Sequence, residues 1–359
     1  MKFKILIALL FTSLMALAQE PANYYASAYN KKGYALRSAL HQIIKNHTTL
    51  TYNSLWSAFQ STDINPDNGK IWDIYSYSSD TQANYYFTYS SDQCGSYSSE
   101  GDCYNREHSV PKSWFDDQSP MVTDLFHIYP TDGFVNGKRG NLPLGEVSNA
   151  TWTSSNGSKL GNCSAPGYSN TVFEPNDNYK GDLARSYFYM CVCYMDKNLG
   201  YDALSMFNDG SLKPWALQML INWHNADPVS QKEIARNNAV YALQHNRNPF
   251  IDHPELVGKI FGTDSVNAFH PTSLDGWQLP DNWLVLPNPA SERISITVPE
   301  QAQGEATAQI INLAGEILYQ QPVMLDNRID IKISDLPAGI YFLRLFNSDF
   351  KLTKKVVKQ

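Results

Sequence analysis

Hydrophobic spacing divides this chain into helical, mixed and strand-like stretches. Across residues 31–47, Leu36, Leu40, Ile43 and Ile44 fall at i, i+4, i+7 and i+8, one stripe of an amphipathic helix that should face a core. Residues 71–76 and 85–89 carry aromatic and β-branched side chains between Ser, Asp and Asn turn residues, which predicts two strands. Helical patterning returns over residues 181–196, 214–225 and 228–245. This order predicts an α+β domain with a small sheet among many helices, over residues 19–275. Near residue 276 the pattern changes, and Pro280, Pro287 and Pro289 with Gly and Asn mark a linker at 276–286. Beyond it, short apolar runs at 294–298, 308–313, 317–319, 328–333, 340–346 and 353–357 predict a small all-β sandwich, residues 287–359.

The first 18 residues read as a secretory signal peptide. Lys2 and Lys4 supply a basic start, an apolar run extends from Ile5 to Leu17, and Ala16-Leu17-Ala18 makes the cleavage site. Thr12 and Ser13 interrupt a run already shorter than the roughly 20 apolar residues a bilayer span needs. Export without stable membrane insertion is therefore expected.

Composition narrows the class. The 359 residues are 43% hydrophobic, 13% aromatic and only 18% charged, too apolar for a disordered chain. The formal charge is −7, and residues 19–284 hold 18 Lys and Arg against 27 Asp and Glu. Such acidity excludes a protein that coats nucleic acid through bulk positive charge. Any contact with nucleic acid must be local. Cys94, Cys103, Cys163, Cys191 and Cys193 do not form the two close pairs of a zinc knuckle. Cys94 and Cys103 could close a short loop in an oxidising compartment, while Cys191 and Cys193 lie in an apolar helical run as buried thiols would.

The densest chemistry lies between residues 104 and 146. Asn105-Arg106-Glu107-His108 is followed by Thr123-Asp124-Leu125-Phe126-His127 and then by Asp132-Gly133-Phe134-Val135-Asn136-Gly137-Lys138-Arg139-Gly140-Asn141. Hydrolysing a phosphodiester requires a base, a cation and groups that hold both in line. His108 titrates near neutrality and can be the base. Glu107 and Asn136 offer the hard oxygens that a magnesium ion takes from protein, with manganese or calcium as alternatives. Arg139, three residues after Asn136, would share its helical face and could grip a phosphate. Asp132 or Thr131 is the expected N-cap of that helix and Pro143 its stop. His127 sits in an apolar strand over residues 125–129, where a structural histidine competes with a substrate contact. A cationic cleft would use Arg106, Lys112, Lys138 and Arg139, with Asn141 a further polar neighbour.

These motifs, with Lys180-Gly181-Asp182-Leu183-Ala184-Arg185, with Trp223 followed by Asp227-Pro228-Val229, and with Asn246-Arg247-Asn248-Pro249-Phe250, resemble the endonuclease I family over residues 30–265. The resemblance implies a ββα-metal (His-Me finger) site with His108 as general base and Glu107 and Asn136 as metal ligands. The family's Val-Asn-Gly pattern selects Asn136 over Asn141. A Cys-rich insertion that supplies an arginine in some relatives is absent here, which is why Arg139 is assigned that role. The tail, with Pro287-Asn288-Pro289-Ala290, Asn312-Leu313-Ala314-Gly315-Glu316 and Leu336-Pro337-Ala338-Gly339-Ile340-Tyr341, resembles the type A sorting domain of the type IX secretion system. It implies an address read by that machinery, against a rival reading as a carbohydrate-binding sandwich.

The expected protein is a monomeric, secreted or surface-exposed, magnesium-dependent non-specific endonuclease. It would cleave DNA, with RNA as a second substrate class, to 5′-phosphate ends. The alternatives are a secreted adhesin or binding module whose Glu-His cluster is structural, and a phosphodiesterase confined to RNA or small nucleotides.

Overall fold

A computed structural model describes residues 20–76, 84–208, 210–270, 285–297, 304–312, 316–325, 328–346 and 351–359. The expected leader at 1–18 and most of the expected linker, 276–284, lie outside the described residues. The chain divides into two compact units at Phe269/His270.

In chain order the first unit contains α1 (Gly33–Ile44), α2 (Ser54–Thr62), β1 (Tyr104–His108), β2 (Ile128–Asp132), α3 (Gly133–Arg139), β3 (Val147–Thr153), β4 (Lys159–Cys163), β5 (Thr171–Glu174), α4 (Lys180–Cys193), the short β6 (Phe207–Asn208) and β7 (Ser211–Leu212), α5 (Pro214–Ala226), α6 (Gln231–Gln244), α7 (Pro249–Asp252) and α8 (Leu256–Ile260). Every residue of α4 is buried, so it is the central helix of this unit. Leu36, Leu40 and Ile44 of α1 join the same core, as their spacing predicts. The charges buried in α4 are paired: Lys180 with Glu174 at 2.8 Å, Asp182 with Lys232 at 3.0 Å, and Arg185 with Glu233. Helix α6 starts at Gln231 and not at residue 228, because Ser230 and Glu233 form a reciprocal cap with their backbone N–H groups.

The two strands expected at 71–76 and 85–89 do not form. Ile71 makes an isolated bridge with Ile64, and its N–H donates to the Phe87 carbonyl at 2.9 Å, with no ladder beyond them. Just beyond it, the buried Asp73 carboxylate accepts from the N–H groups of Tyr75, Ser76 and Asp132 and from the Thr131 hydroxyl. A side chain thus takes the donors that a ladder would use, and the segment turns. The antiparallel sheet β3-β4-β5 was not anticipated, since β3 exposes most of its residues and carries no apolar stripe.

In the second unit, β8 (Val285–Leu286), β9 (Arg293–Thr297), β10 (Gly304–Ile311), β11 (Ile317–Leu325), β12 (Arg328–Lys332), β13 (Gly339–Phe346) and β14 (Lys351–Lys358) form two sheets, β12-β9-β8 and β11-β10-β13-β14. Ile294, Ile296, Ile310, Ile331, Leu343 and Leu345 alternate inward to one core, which agrees with the expected sandwich. Among the described residues, no helix is long and apolar enough to cross a membrane.

Near the start of the described chain, Glu20 lies 2.9 Å from the buried His253, which also faces Glu255 at 3.4 Å. Burial pulls the imidazole down, yet the two carboxylates win and raise it to about 9. A raised histidine stabilises the fold fully below its unfolded value near 6.5, and that contribution disappears as pH rises through about 9. The shift corresponds to about 3 kcal/mol. His253→Gln should therefore lower Tm clearly at pH 6 and much less at pH 10. Equal losses at both pH values, in thermal scans of the two proteins, would contradict the pairing.

Candidate functional site

Strands β1 and β2 pair antiparallel, with Glu107 opposite Tyr129 and His108 opposite Ile128, and α3 follows β2 directly. Asp132 ends the strand and caps the helix, its Oδ1 accepting from Val135 N–H at 2.9 Å. Gly140, at φ +54°, closes α3 three residues before Pro143, so Pro143 is not the stop. This β1-β2-α3 order juxtaposes two rows of side chains. Asn105 and Glu107, two apart on β1, share one strand face. Asn136 and Arg139, one turn apart on α3, meet that same face. Asn136 Nδ2 donates to Asn105 Oδ1 at 2.7 Å, and Arg139 Nη1 donates to Glu107 Oε1 at 2.6 Å.

Glu107 is 2% exposed, and its two hydrogen bonds among the described residues, from Arg139 and from the Tyr75 hydroxyl at 2.7 Å, both fall on Oε1. Burial pushes its carboxyl above the usual carboxylate range, and the Arg139 and Tyr75 contacts oppose that push. With Asn136 directing its amide nitrogen to Asn105, the Glu107 Oε2 and Asn136 Oδ1 atoms remain as hard donors. This donor set fits a hard divalent cation.

His108 is buried and its Nε2 lies 3.1 Å from the Val122 carbonyl. A carbonyl only accepts, so Nε2 carries the proton and Nδ1 presents its lone pair. Burial and the neighbouring His127 push the imidazole down to about 3, which keeps it neutral in the ordinary working range. Its ring stacks on Tyr52, centroids 6.1 Å apart and planes 15° apart.

The remaining candidates separate into contacts already made and groups on the surface. Arg139, expected to grip a phosphate, is 1% exposed, and its guanidinium donates to Glu107, to the carbonyls of His108 and Ser109, and through Nε to Leu142. A helical spacing places it beside Asn136, but burial has turned it beneath the site. His127 is completely buried with Nε2 2.7 Å from the Met121 carbonyl, the arrangement of the structural one of its two readings. Arg106 lies over the rings of Tyr52 and Trp56 and donates to the Tyr52 carbonyl. Lys112 is exposed and pairs with Asp117 at 2.8 Å. Lys138 is exposed with its ammonium 5.1 Å from the Phe134 ring, and Asn141 is exposed just past α3.

Several supporting residues escaped sequence reasoning. Tyr75 touches Glu107, and Tyr187 of α4 donates to the Ser109 carbonyl at 2.7 Å. Neither carries a local signal, because each acts across a long stretch of chain. A second group, His47, Asp124 and Cys193, brings potential metal-ligand atoms within 4.8 Å of one another and could also hold an ion. Its atoms are already engaged: the Tyr189 and Tyr194 hydroxyls donate to Asp124 Oδ2 at 2.7 Å, and His47 Nε2 lies 2.8 Å from Tyr194. Cys94 and Cys103 are joined in a disulfide, while Cys163, Cys191 and Cys193 are buried free thiols.

Comparison with known proteins matches both parts of the chain to families. Residues 32–255 match the endonuclease I family, and residues 284–359 match the secretion system C-terminal sorting domain. An extracellular ribonuclease of Bacillus amyloliquefaciens is 37% identical over 246 residues, 66% of this chain and 78% of that protein. An extracellular ribonuclease of Bacillus subtilis (strain 168) is 34% identical over 265 residues, 69% of this chain and 84% of that protein. Endonuclease-1 of Buchnera aphidicola subsp. Baizongia pistaciae is 29% identical over 132 residues, 36% of this chain and 46% of that protein. The first unit therefore matches a nuclease family and the second carries a secretion sorting domain, which marks a secreted or cell-surface protein. With the family matched over more than half its length, the chain belongs to the endonuclease I family of nucleases.

Proposed function

We propose that this nuclease is a metal-dependent, non-specific endonuclease acting on both DNA and RNA through a ββα-metal site. The observation that carries the reading is the β1-β2-α3 unit, which presents a tautomer-fixed His108 beside Glu107 on one strand and lays Asn136 of α3 against it. His108 Nδ1 takes the proton of the attacking water. Glu107 Oε2 and Asn136 Oδ1 would hold a divalent cation, magnesium by their hard-oxygen chemistry, and that ion would supply positive charge to offset the charge on the phosphate and on the leaving 3′-oxygen. Arg139 keeps the Glu107 carboxylate and the His108 and Ser109 backbone in place from below. Loss of the 3′-oxygen as leaving group yields 5′-phosphate ends.

Two features favour a substrate range that includes RNA. Two relatives that match about two thirds of this chain, 66% and 69%, bear ribonuclease names. Among the described residues near the site, the exposed cations Lys112 and Lys138 suit contact with phosphate, and backbone contact does not read base sequence. The C-terminal unit is proposed to address the enzyme to the type IX secretion machinery.

Purified protein should cleave plasmid, single-stranded DNA and RNA. EDTA should abolish all three activities, and magnesium should restore them. Cleavage limited to RNA or to a small chromogenic diester would replace this reading with the narrower phosphodiesterase. No cleavage with any of magnesium, manganese or calcium would favour a binding module.

A further inference from the structure

We infer that Tyr97 is a positioning residue for Asn136, its ring setting where helix α3 lies against β1. The inference rests on the reading of Asn136 as a metal-holding residue. Helix α3 has only seven residues, too few to hold its own shape, and it contains Gly133 and Gly137. These glycines stand four apart and so share one face of the helix. Tyr97 occupies that face. A Cβ at Gly133 would lie 2.6 Å from Tyr97 Cδ1, and one at Gly137 would lie 2.6 Å from the Tyr97 hydroxyl. Both distances are below any real Cβ contact, so only glycine permits the ring to sit there. The poor helix formers are the seat of an aromatic side chain.

Tyr97 is not held there by core burial, since it stays 38% exposed. It is held by its loop, which the Cys94–Cys103 disulfide closes and whose far end is tied to the same helix. Gly101 N–H donates to Asp132 Oδ2 at 2.6 Å, so the N-cap of α3 serves both the helix and the loop. Gly133 N–H donates to the Cys103 carbonyl at 2.9 Å. Loop and helix thus meet at the helix start through two hydrogen bonds and along one helix face through the ring. Asn136 falls between the two glycines in sequence, and its contact with Asn105 depends on how closely α3 approaches β1.

The test uses the whole mature protein with its disulfide intact. Magnesium and calcium binding are measured by calorimetry, alongside the magnesium dependence of plasmid cleavage. Tyr97→Ala should weaken metal binding roughly tenfold, the scale on which supporting groups tune a metal site. The magnesium needed for half-maximal cleavage should rise in parallel, with KM for DNA little changed. Tyr97→Phe keeps the ring and should restore binding. Gly133→Ala separates packing from helix propensity, because alanine is the better helix former. It should nevertheless weaken metal binding, and the double variant Tyr97→Ala/Gly133→Ala should be no worse than Tyr97→Ala. Metal affinity unchanged in Tyr97→Ala and in Gly133→Ala, even with a lower Tm, would overturn the positioning role. If wild type binds magnesium no better than Glu107→Gln, the metal reading itself fails and the inference falls with it.

Discussion

Replacing His108 with alanine should reduce phosphodiester cleavage by about 10³-fold, within the range for loss of a general base, and leave the fold intact. The side chain makes one backbone hydrogen bond, to Val122, and its neighbours Glu107 and Ser109 keep theirs to Arg139. The loss should therefore appear in kcat and not in Tm. The same environment predicts an unusual pH response. An imidazole pushed down to about 3 stays unprotonated far below the ordinary histidine value. Wild-type cleavage should accordingly show no acid limb near pH 6.5. A pH-rate profile with a midpoint at that value, lost in His108→Ala, would mean that His108 titrates as an exposed histidine does.

The second large effect is on stability. Arg139→Met removes the partner of Glu107 while both side chains are buried, at 1% and 2% exposure. Breaking a buried pair from one side costs about 3–5 kcal/mol, because the remaining charge loses its compensation. Three backbone carbonyls, of His108, Ser109 and Leu142, lose their donors as well. Thermal unfolding should fall by roughly 10 °C, given about 2–4 °C per kcal/mol for a unit of this size. Arg139→Lys should fail to rescue, since an ammonium cannot reproduce a planar fork spread over four acceptors. A guanidinium gripping a phosphate predicts the opposite: lost activity with Tm unchanged. Circular-dichroism melts of both variants decide between the two roles.

The contrast around Arg139 shows what a local pattern can and cannot convey. Spacing places it one turn from Asn136, and the structure agrees. Whether that face looks at substrate or at a buried carboxylate depends on β1, which joins α3 only in the tertiary fold. Helices whose apolar positions recur at helical spacing were legible, as with α1, and α5 begins at Pro214, where a proline suits the first turn. Segments 71–76 and 85–89 have the composition of strands, but in the first of them a single buried aspartate, Asp73, draws the chain into a turn. The motif residues Glu107, His108 and Asn136 stand out because complementary chemistry is concentrated in a short stretch. Tyr75, Tyr97 and Tyr187 do not, since each is one tyrosine among 22 until the fold brings it to the site.

Local contact also resolves the acidity of the chain. A formal charge of −7 does not prevent a nuclease from engaging phosphate when the cationic groups near the site and a bound divalent ion do so locally. This makes the metal site the centre of the proposal, and Glu107→Gln tests it, read beside a thermal melt of the same variant because the change also removes the charge opposite the buried Arg139. Glutamine keeps a carbonyl oxygen for Tyr75 and Arg139 but removes the charge that a cation requires. Plasmid nicking by Glu107→Gln, followed across a magnesium titration beside wild type, should show a loss of at least about 10²-fold at low magnesium, in line with loss of a principal metal-holding group. Nicking that matches wild type at every magnesium concentration would contradict a catalytic metal held by this strand.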